Sequence, residues 1–302
     1  MKRRLLIAGG TGLIGTAIRQ QAEKDGWEVL LLSRRAGASI IRWDPVSEWI
    51  DLTQPMDFDA IINLAGSSLA EGRWTSERMR DIRDSRKQAA STLEKYLADG
   101  MLRTSVYIGA SAIGVYGNHG DKLVNEDTPV GYGLDWLADT VIDWEAAHQR
   151  IERLGIRTLM FRIGLVLSRQ GGALKAMLRL HWMGIIPYFG SGKQLWSWIH
   201  IDDLAASMLW AIDQPNLKGV CLTIAPSPVT NASLSKTIAR TLWPRRIALP
   251  VPAFILSILL GRMHHMLLDS MRGHPSKLLK YGYSFRYPMI RDAMQSLLGK
   301  KK

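Results

Sequence analysis

Short runs of Leu, Ile and Val recur along the first half of the chain. They alternate with longer stretches in which apolar residues return every three or four positions. The first kind reads as a strand buried on both faces, the second as a helix with one apolar face. This pattern predicts strands at 4–8, 28–32, 60–64, 105–110 and 157–163, and helices at 13–25, 75–99, 137–154 and 173–183. All-apolar strands separated by helices define a parallel sheet wrapped on both sides. After residue 170 the alternation loosens: helices are expected at 202–213 and 233–242, with a strand at 220–224 between them. Three prolines interrupt 244–252, which reads as a linker or irregular crossing. An apolar helix is expected at 253–268, stopped by Gly273, His274 and Pro275, and a terminal unit covers 275–298. The expected division is a large domain over 1–243, with substrate-lobe segments mainly after 164, and a basic, mostly helical domain over 244–302.

Composition narrows the class. The 302 residues are 47% hydrophobic, yet no run approaches the ~18 apolar residues of a membrane span. The apolar stretch after Lys2, Arg3 and Arg4 ends at Gly9, too soon for a secretory signal. A cytoplasmic protein is expected. The single cysteine, Cys221, lies between Val220 and Leu222 and reads as a buried strand residue rather than a nucleophile. The net charge of +12 is concentrated at the end: from Arg240 onward twelve Lys/Arg face only Asp269 and Asp292. Such an end can attract an acidic partner, though a solvated basic face with a frayed tail at Lys300, Lys301 and Lys302 is the simpler reading. No nucleic-acid motif organises the eleven tryptophans. His264 and His265 lack a third ligand at metal spacing, so no metal is expected. The mixed charges of 73–87 read as a solvated helix face.

The strongest motif is Gly9-Gly10-Thr11-Gly12-Leu13-Ile14-Gly15, between the first strand and the first helix. In that setting Gly9 allows a tight turn, Gly12 lets backbone approach a pyrophosphate and Gly15 lets the helix pack closely. The helix N-terminus then presents free N–H groups to the phosphates. Thr11, Leu13 and Ile14 belong to the same loop. The second strand ends in Ser33-Arg34-Arg35, where NAD-binding chains usually carry an acid. Guanidinium groups there suit a 2′-phosphate, so NADP(H) is the expected cofactor. Asn63-Leu64-Ala65-Gly66, ending the third strand, offers small residues beside the adenosine half.

Together with Ser111-Ala112-Ile113-Gly114-Val115-Tyr116-Gly117, Asp143-Trp144-Glu145 and the run from Ser197 to Asp203, these motifs resemble the YfcH-like epimerase family. That family is a branch of the extended short-chain dehydrogenase/reductases related to nucleotide-sugar epimerases. The terminal 275–298 is similar to its small C-terminal domain of unknown function. The resemblance implies an α/β fold: a Rossmann-type doubly wound parallel sheet that binds NADP(H), a smaller C-terminal substrate lobe and a helical terminal segment. Working extended reductases follow a Ser or Thr, at the place of Ser111 here, with a Tyr-x-x-x-Lys acid–base pair, which the YfcH-like family generally lacks. Counted by the superfamily's spacing from Glu145, those places hold Leu137 and Val141, which transfer no proton. Tyr132 and Tyr116 are the weaker substitutes. Lys193 and Gln194 in a Gly-rich turn, followed by Trp198 and His200, could line a pocket for an anionic or sugar-like ligand, with Arg162 on the substrate side. Equally, that turn only precedes a strand and His200 caps the helix at Asp202. The leading expectation is an NADP(H)-binding epimerase- or oxidoreductase-like protein acting on a small polar, sugar-derived molecule, and the alternative a non-catalytic NADP(H) sensor. A homodimer would use the helices at 75–99 and 137–154.

Overall fold

The computed structural model describes residues 2–242 and 247–299, the side chains of 180–182 apart. Eight strands form one sheet: β1 (Arg4–Ala8), β2 (Glu28–Ser33), β3 (Ile40–Asp44), β4 (Trp49–Ile50), β5 (Ala60–Asn63), β6 (Val106–Ala112), β7 (Arg157–Ile163) and β8 (Gly219–Thr223). Their order is β8-β7-β6-β5-β1-β2-β3-β4. Neighbours are parallel except β4, which runs antiparallel to β3 at one edge. The order reverses at β1, so the chain leaves β1 and β5 towards opposite sides. That places a crevice beyond their C-terminal ends, where ligands of doubly wound sheets bind.

Alternation within β1 shows why each strand is apolar throughout. Leu5 and Ile7 pack into one layer with Ile18 and Ala22 of α1 (Leu13–Lys24) and Leu204 and Met208 of α5 (Ile201–Ile212). Leu6 and Ala8 face the other layer, with Ala89, Leu93 and Leu97 of α2 (Ser76–Ala98) and Ile151 of α3 (Trp136–Glu152). The helices start where polar side chains cap them. Thr75 accepts from Arg78 N ahead of α2, and Asp135 accepts from Ala138 N ahead of α3, each satisfying one otherwise unpaired donor.

A smaller lobe is built from α4 (Gly172–Met177), α6 (Asn231–Leu242) and the terminal helix Ile290–Leu298 around Trp198, Leu234, Ile238 and Met294. The expected irregular crossing is in part a strand. Ile247–Val251 pairs in parallel with Ile185–Phe189, because Pro250 and Pro252 lie at its end; Pro244 lies outside the described residues. The expected apolar helix is interrupted: α7 (Ala253–Leu260) ends at Gly261, which adopts φ +55, and a 3-10 turn leads to the helix His265–Leu268. The hairpin β3–β4 was not anticipated. The segment 269–273 is tied on both sides. Leu195 N donates to Ser270 Oγ, Met271 N to Leu195 O and Gly273 N to Ser197 Oγ. Opposite, His119 N donates to Ser270 O, and Arg272 and Gly273 pair in parallel with Leu123 and Val124.

Candidate functional site

The first crossover closes on the glycines. Gly9 has φ +78, and a Cβ there would stand 2.8 Å from the carbonyl carbon of Leu64, so the first turn touches the backbone of 64–65. A Cβ on Gly15 would fall 2.4 Å from Gly9 O. Only glycine lets α1 begin this close to the loop. The cap residue Gly12 offers no side chain, and no acid occupies the first turn of α1, leaving the positive end of the helix for a ligand oxyanion.

From this loop opens a cavity of about 550 Å³. Gly9, Gly12, Leu13, Ile14 and Gly15 line one part of it, with Leu64 and Gly66. Ser111, Leu137, Trp144, Ser197, Met266 and Asp269 line others. Thr11 is exposed at the loop, and Ala65 packs against the layer that holds α2 rather than lining the cavity. Ser33, Arg34 and Arg35 sit at the end of β2, with Arg35 N donating to Ser33 Oγ at 3.2 Å. Both arginines are exposed, and among the described residues no carboxylate stands within ion-pair distance of either. Their charges are available.

Asn63 is fully buried and serves a network that sequence reasoning missed. Its Oδ1 accepts from Ala65 N at 3.1 Å, and its Nδ2 donates to Tyr107 OH at 3.0 Å. Tyr107 OH donates to His148 Nδ1 at 2.9 Å, and His148 Nε2–H donates to Ala110 O at 3.1 Å. Since a carbonyl can only accept, the tautomer follows. A Cβ on Gly109 would lie 2.6 Å from this ring, so Gly109 makes the room. The relay thus joins the 63–66 loop to the strand end that carries Ser111.

Ser111 Oγ donates to Glu145 Oε1 at 2.5 Å. Arg162 grips both oxygens of the same carboxylate at 2.7 Å, and its Nη1 donates to Tyr116 OH at 2.7 Å. Tyr116 OH in turn donates to Asn125 O at 2.9 Å. Burial alone would lower the Arg162 pKa, but the bonds and charge of Glu145 outweigh it and raise it. Burial raises that of Tyr116. Neither residue lines the cavity: each spends its polar atoms within this network.

Other expected pocket residues also lie elsewhere. Tyr132 is exposed and bonds Asp143 Oδ1 at 2.9 Å, away from the cavity. Lys193 points to solvent. Gln194 Nε2 is held by Phe189 O and Leu267 O, and Trp198 Nε1 by Ser227 O. His200 caps α5, its Nδ1 accepting from Asp202 N at 3.0 Å, and stacks on Tyr287. The turn delivers Leu195, Trp196 and Ser197 to the cavity instead. Arg86, expected on a solvated face, is buried and lines it. The other ionisable linings among the described residues are Asp135 and Asp269. Burial raises the Asp269 pKa, the charges of His265 and His264 lower it, and Asp135 adds repulsion. Cys221 is buried, its thiol pushed up to about 12 by that burial. Among the described residues no group of three His, Cys, Asp or Glu can hold a metal, and no helix is long and apolar enough to cross a membrane.

His148 also sets an acid limit. Burial lowers its pKa from 6.5 to about 4, so above pH 6.5 neither folded nor unfolded His148 is charged. As pH falls from 6.5 towards 4 the unfolded chain takes the proton and the fold does not, and stability falls by about 3 kcal/mol. His200, also lowered by burial to about 4, adds in the same window. Urea unfolding between pH 6.5 and 5, where most carboxylates remain ionised, should show roughly half of this loss, and His148→Gln should flatten part of it. An unchanged slope in that variant would show that His148 is not responsible.

A reversed-order parallel sheet, a glycine turn opening a helix and a cavity at the switch point define a Rossmann-type dinucleotide-binding protein. Comparison with known families agrees: residues 5–220 match the NAD dependent epimerase/dehydratase family, and 251–297 a domain of unknown function named DUF1731. The chain belongs to the NAD dependent epimerase/dehydratase family. It is 35% identical to epimerase family protein Mb2239 of Mycobacterium bovis, over 95% of both chains. It is 33% identical to epimerase family protein YfhF of Bacillus subtilis, over 99% of both. The crystal structure of human epimerase family protein SDR39U1 (isoform 2) with NADPH superposes with a TM-score of 0.89 at 32% identity, covering 98% of this chain and 99% of the human one.

Proposed function

We propose that this protein binds NADP(H) and uses it in an epimerase- or oxidoreductase-like reaction on a small polar molecule, a sugar derivative being the leading class. The observation that carries the reading is the shared cavity: glycine turn, α1 N-terminus and Ser111 open into one space. Gly9, Gly12, Leu13, Ile14 and Gly15 hold the pyrophosphate, Leu64, Ala65 and Gly66 flank the adenosine half, and Arg34 and Arg35 take the 2′-phosphate. The NADPH of the human relative supports the choice of nucleotide. When bound, the nicotinamide supplies or accepts hydride.

Ser111 orients the reacting oxygen. Its proton is committed to Glu145, so it accepts from a substrate hydroxyl, and donates to a carbonyl only by leaving Glu145. Leu137, at the superfamily's tyrosine place, lines the cavity without a proton to give. That role passes to Asp269, the cavity-lining acid whose pKa burial raises above the ordinary aspartate value.

Titration with NADPH, NADP⁺, NADH and NAD⁺, followed by hydride exchange against carbonyl compounds and nucleotide sugars, tests this. Tight NADP(H) binding with turnover lost in Asp269→Asn is expected. Tight binding with no exchange in any pairing would overturn the catalytic part. Leu137 would then favour a second reading, a non-catalytic sensor that engages a partner in only one redox state of the nucleotide.

A further inference from the structure

Arg86 stands apart from the other buried and half-buried arginines. Arg162 is paired with Glu145, Arg150 with Glu94, Arg83 with Asp143 and Arg78 with Asp81. Arg157 has no close carboxylate, but four carbonyls around the end of α5 receive its guanidinium: Ala211, Ile212, Gln214 and Leu217. Arg86 is only 9% exposed, and its hydrogen bonds both leave Nη1, to Ser67 O at 3.0 Å and Ile82 O at 2.8 Å. Among the described residues its Nε and Nη2 meet no acceptor, and no carboxylate is within ion-pair distance. A guanidinium carries five N–H donors, so the greater part of its hydrogen-bonding edge is unused. Neither Nε nor Nη2 is sealed inside the protein, so both face space that water or a ligand can enter.

The surroundings direct that edge. Arg86 lines the cavity with the glycine turn and Gly66. A Cβ on Gly66 would lie 2.8 Å from Arg86 Cγ and 3.2 Å from Cζ, so the glycine admits the side chain. Trp144 supports it, with its ring centroid 4.9 Å from Cζ. Burial and the charge of Arg78 lower its pKa to about 10, which leaves it cationic at neutral pH. The remaining ionisable linings, Asp135 and Asp269, repel one another and would repel an anion. Among the described linings Arg86 is therefore the cationic side chain that can attract negative charge, beside the positive end of α1.

We propose that Arg86 is an anion-binding residue of the cavity, whose free guanidinium edge takes a phosphate-class oxyanion. That oxyanion comes from the dinucleotide bridge or from an anionic group of the substrate. The proposal rests on the nucleotide reading above. A purely structural role is the competing account, since Nη1 helps hold the loop at Ser67. However, Ser85 Oγ already anchors that loop by accepting from Ser67 N at 3.0 Å.

The test is NADPH titration of wild type, Arg86→Met and Arg86→Lys across chloride concentrations, with a thermal melt of each. Binding of inorganic pyrophosphate to the NADPH-saturated protein is measured alongside. Arg86→Met should weaken NADPH by about ten- to a hundredfold and flatten the chloride dependence. Arg86→Lys should recover a large part of the affinity. Unchanged NADPH affinity with pyrophosphate binding lost also supports the proposal and assigns the oxyanion to the substrate. Wild-type binding of both probes by Arg86→Met overturns it. So does an equal loss in both variants accompanied by equal falls in melting temperature, which is the mark of a structural role. If wild type binds no NADPH, the nucleotide reading fails by itself, and pyrophosphate binding to wild type against Arg86→Met still decides the role of Arg86.

Discussion

Replacing Arg34 and Arg35 together by alanine is expected to weaken NADPH binding by roughly a hundredfold, about 3 kcal/mol, while NADH affinity stays within about threefold. The arginines follow directly on β2, the strand next to β1, and both are exposed; Arg34 is within electrostatic reach of Asp44, but among the described residues neither has a carboxylate within ion-pair distance. The variant therefore removes no internal bond made by their side chains, and fold stability should hold. A 2′-phosphate gains charge-assisted, often bidentate bonds from such a pair. NADH lacks that phosphate and has nothing to lose. Fluorescence titration of both nucleotides separates the outcomes. Equal weakening of NADPH and NADH would mean that the pair supports the loop rather than reading the phosphate. No weakening would place the 2′-phosphate elsewhere. Because the contact is exposed, added salt should narrow the wild-type preference.

Glu145→Ala is expected to destabilise the fold by about 3–5 kcal/mol, since it strands a buried guanidinium. Arg162 is 4% exposed and Glu145 6%, and the carboxylate also holds the Ser111 proton. One substitution thus leaves a cation and a hydroxyl without their acceptor. Removing both charges together, as Glu145→Leu with Arg162→Met, should recover most of the loss, because well-packed apolar replacements of a buried pair are often neutral. Thermal melts of the two variants provide the check. A double variant as unstable as the single one would show that Tyr116 and Ser111, rather than the stranded charge, dominate the cost.

The parallel strands were legible because burial on both faces leaves no polar alternation within β1, β5 or β7, and the glycines because their spacing answers a steric demand at Gly9 and Gly15. The edge hairpin was not: β3 mixes Arg42 and Asp44 with Ile40, Ile41 and Trp43, and β4 has two residues, too few to show a period. Cavity membership was the least legible property. Arg86 occupies a helix face crowded with charge, and nothing local distinguishes it from Arg83 or Lys87. Only the approach of Gly66 and Trp144, 20 and 58 positions away in sequence, buries it. His200 shows the converse. Its chemistry drew attention, but its Nδ1 caps α5, its face stacks on Tyr287 and its Nε2 is buried without a partner, away from the cavity. Tyr107 and His148 carry no local signal in the sequence, because their partnership needs β6 and α3 to be packed together.

The ties that hold 269–273 have a consequence for synthesis on the ribosome. The glycine turn emerges well before the wall bearing Asp269 and Met271. Until that wall docks against Leu195, Ser197 and Leu123, the nascent chain carries a nucleotide cleft open on one side. Chains cut short before residue 269 would display the sequence motif of a dinucleotide site without its enclosure. Only a chain that includes 269–273 carries the wall that Asp269 and Met271 give this cavity.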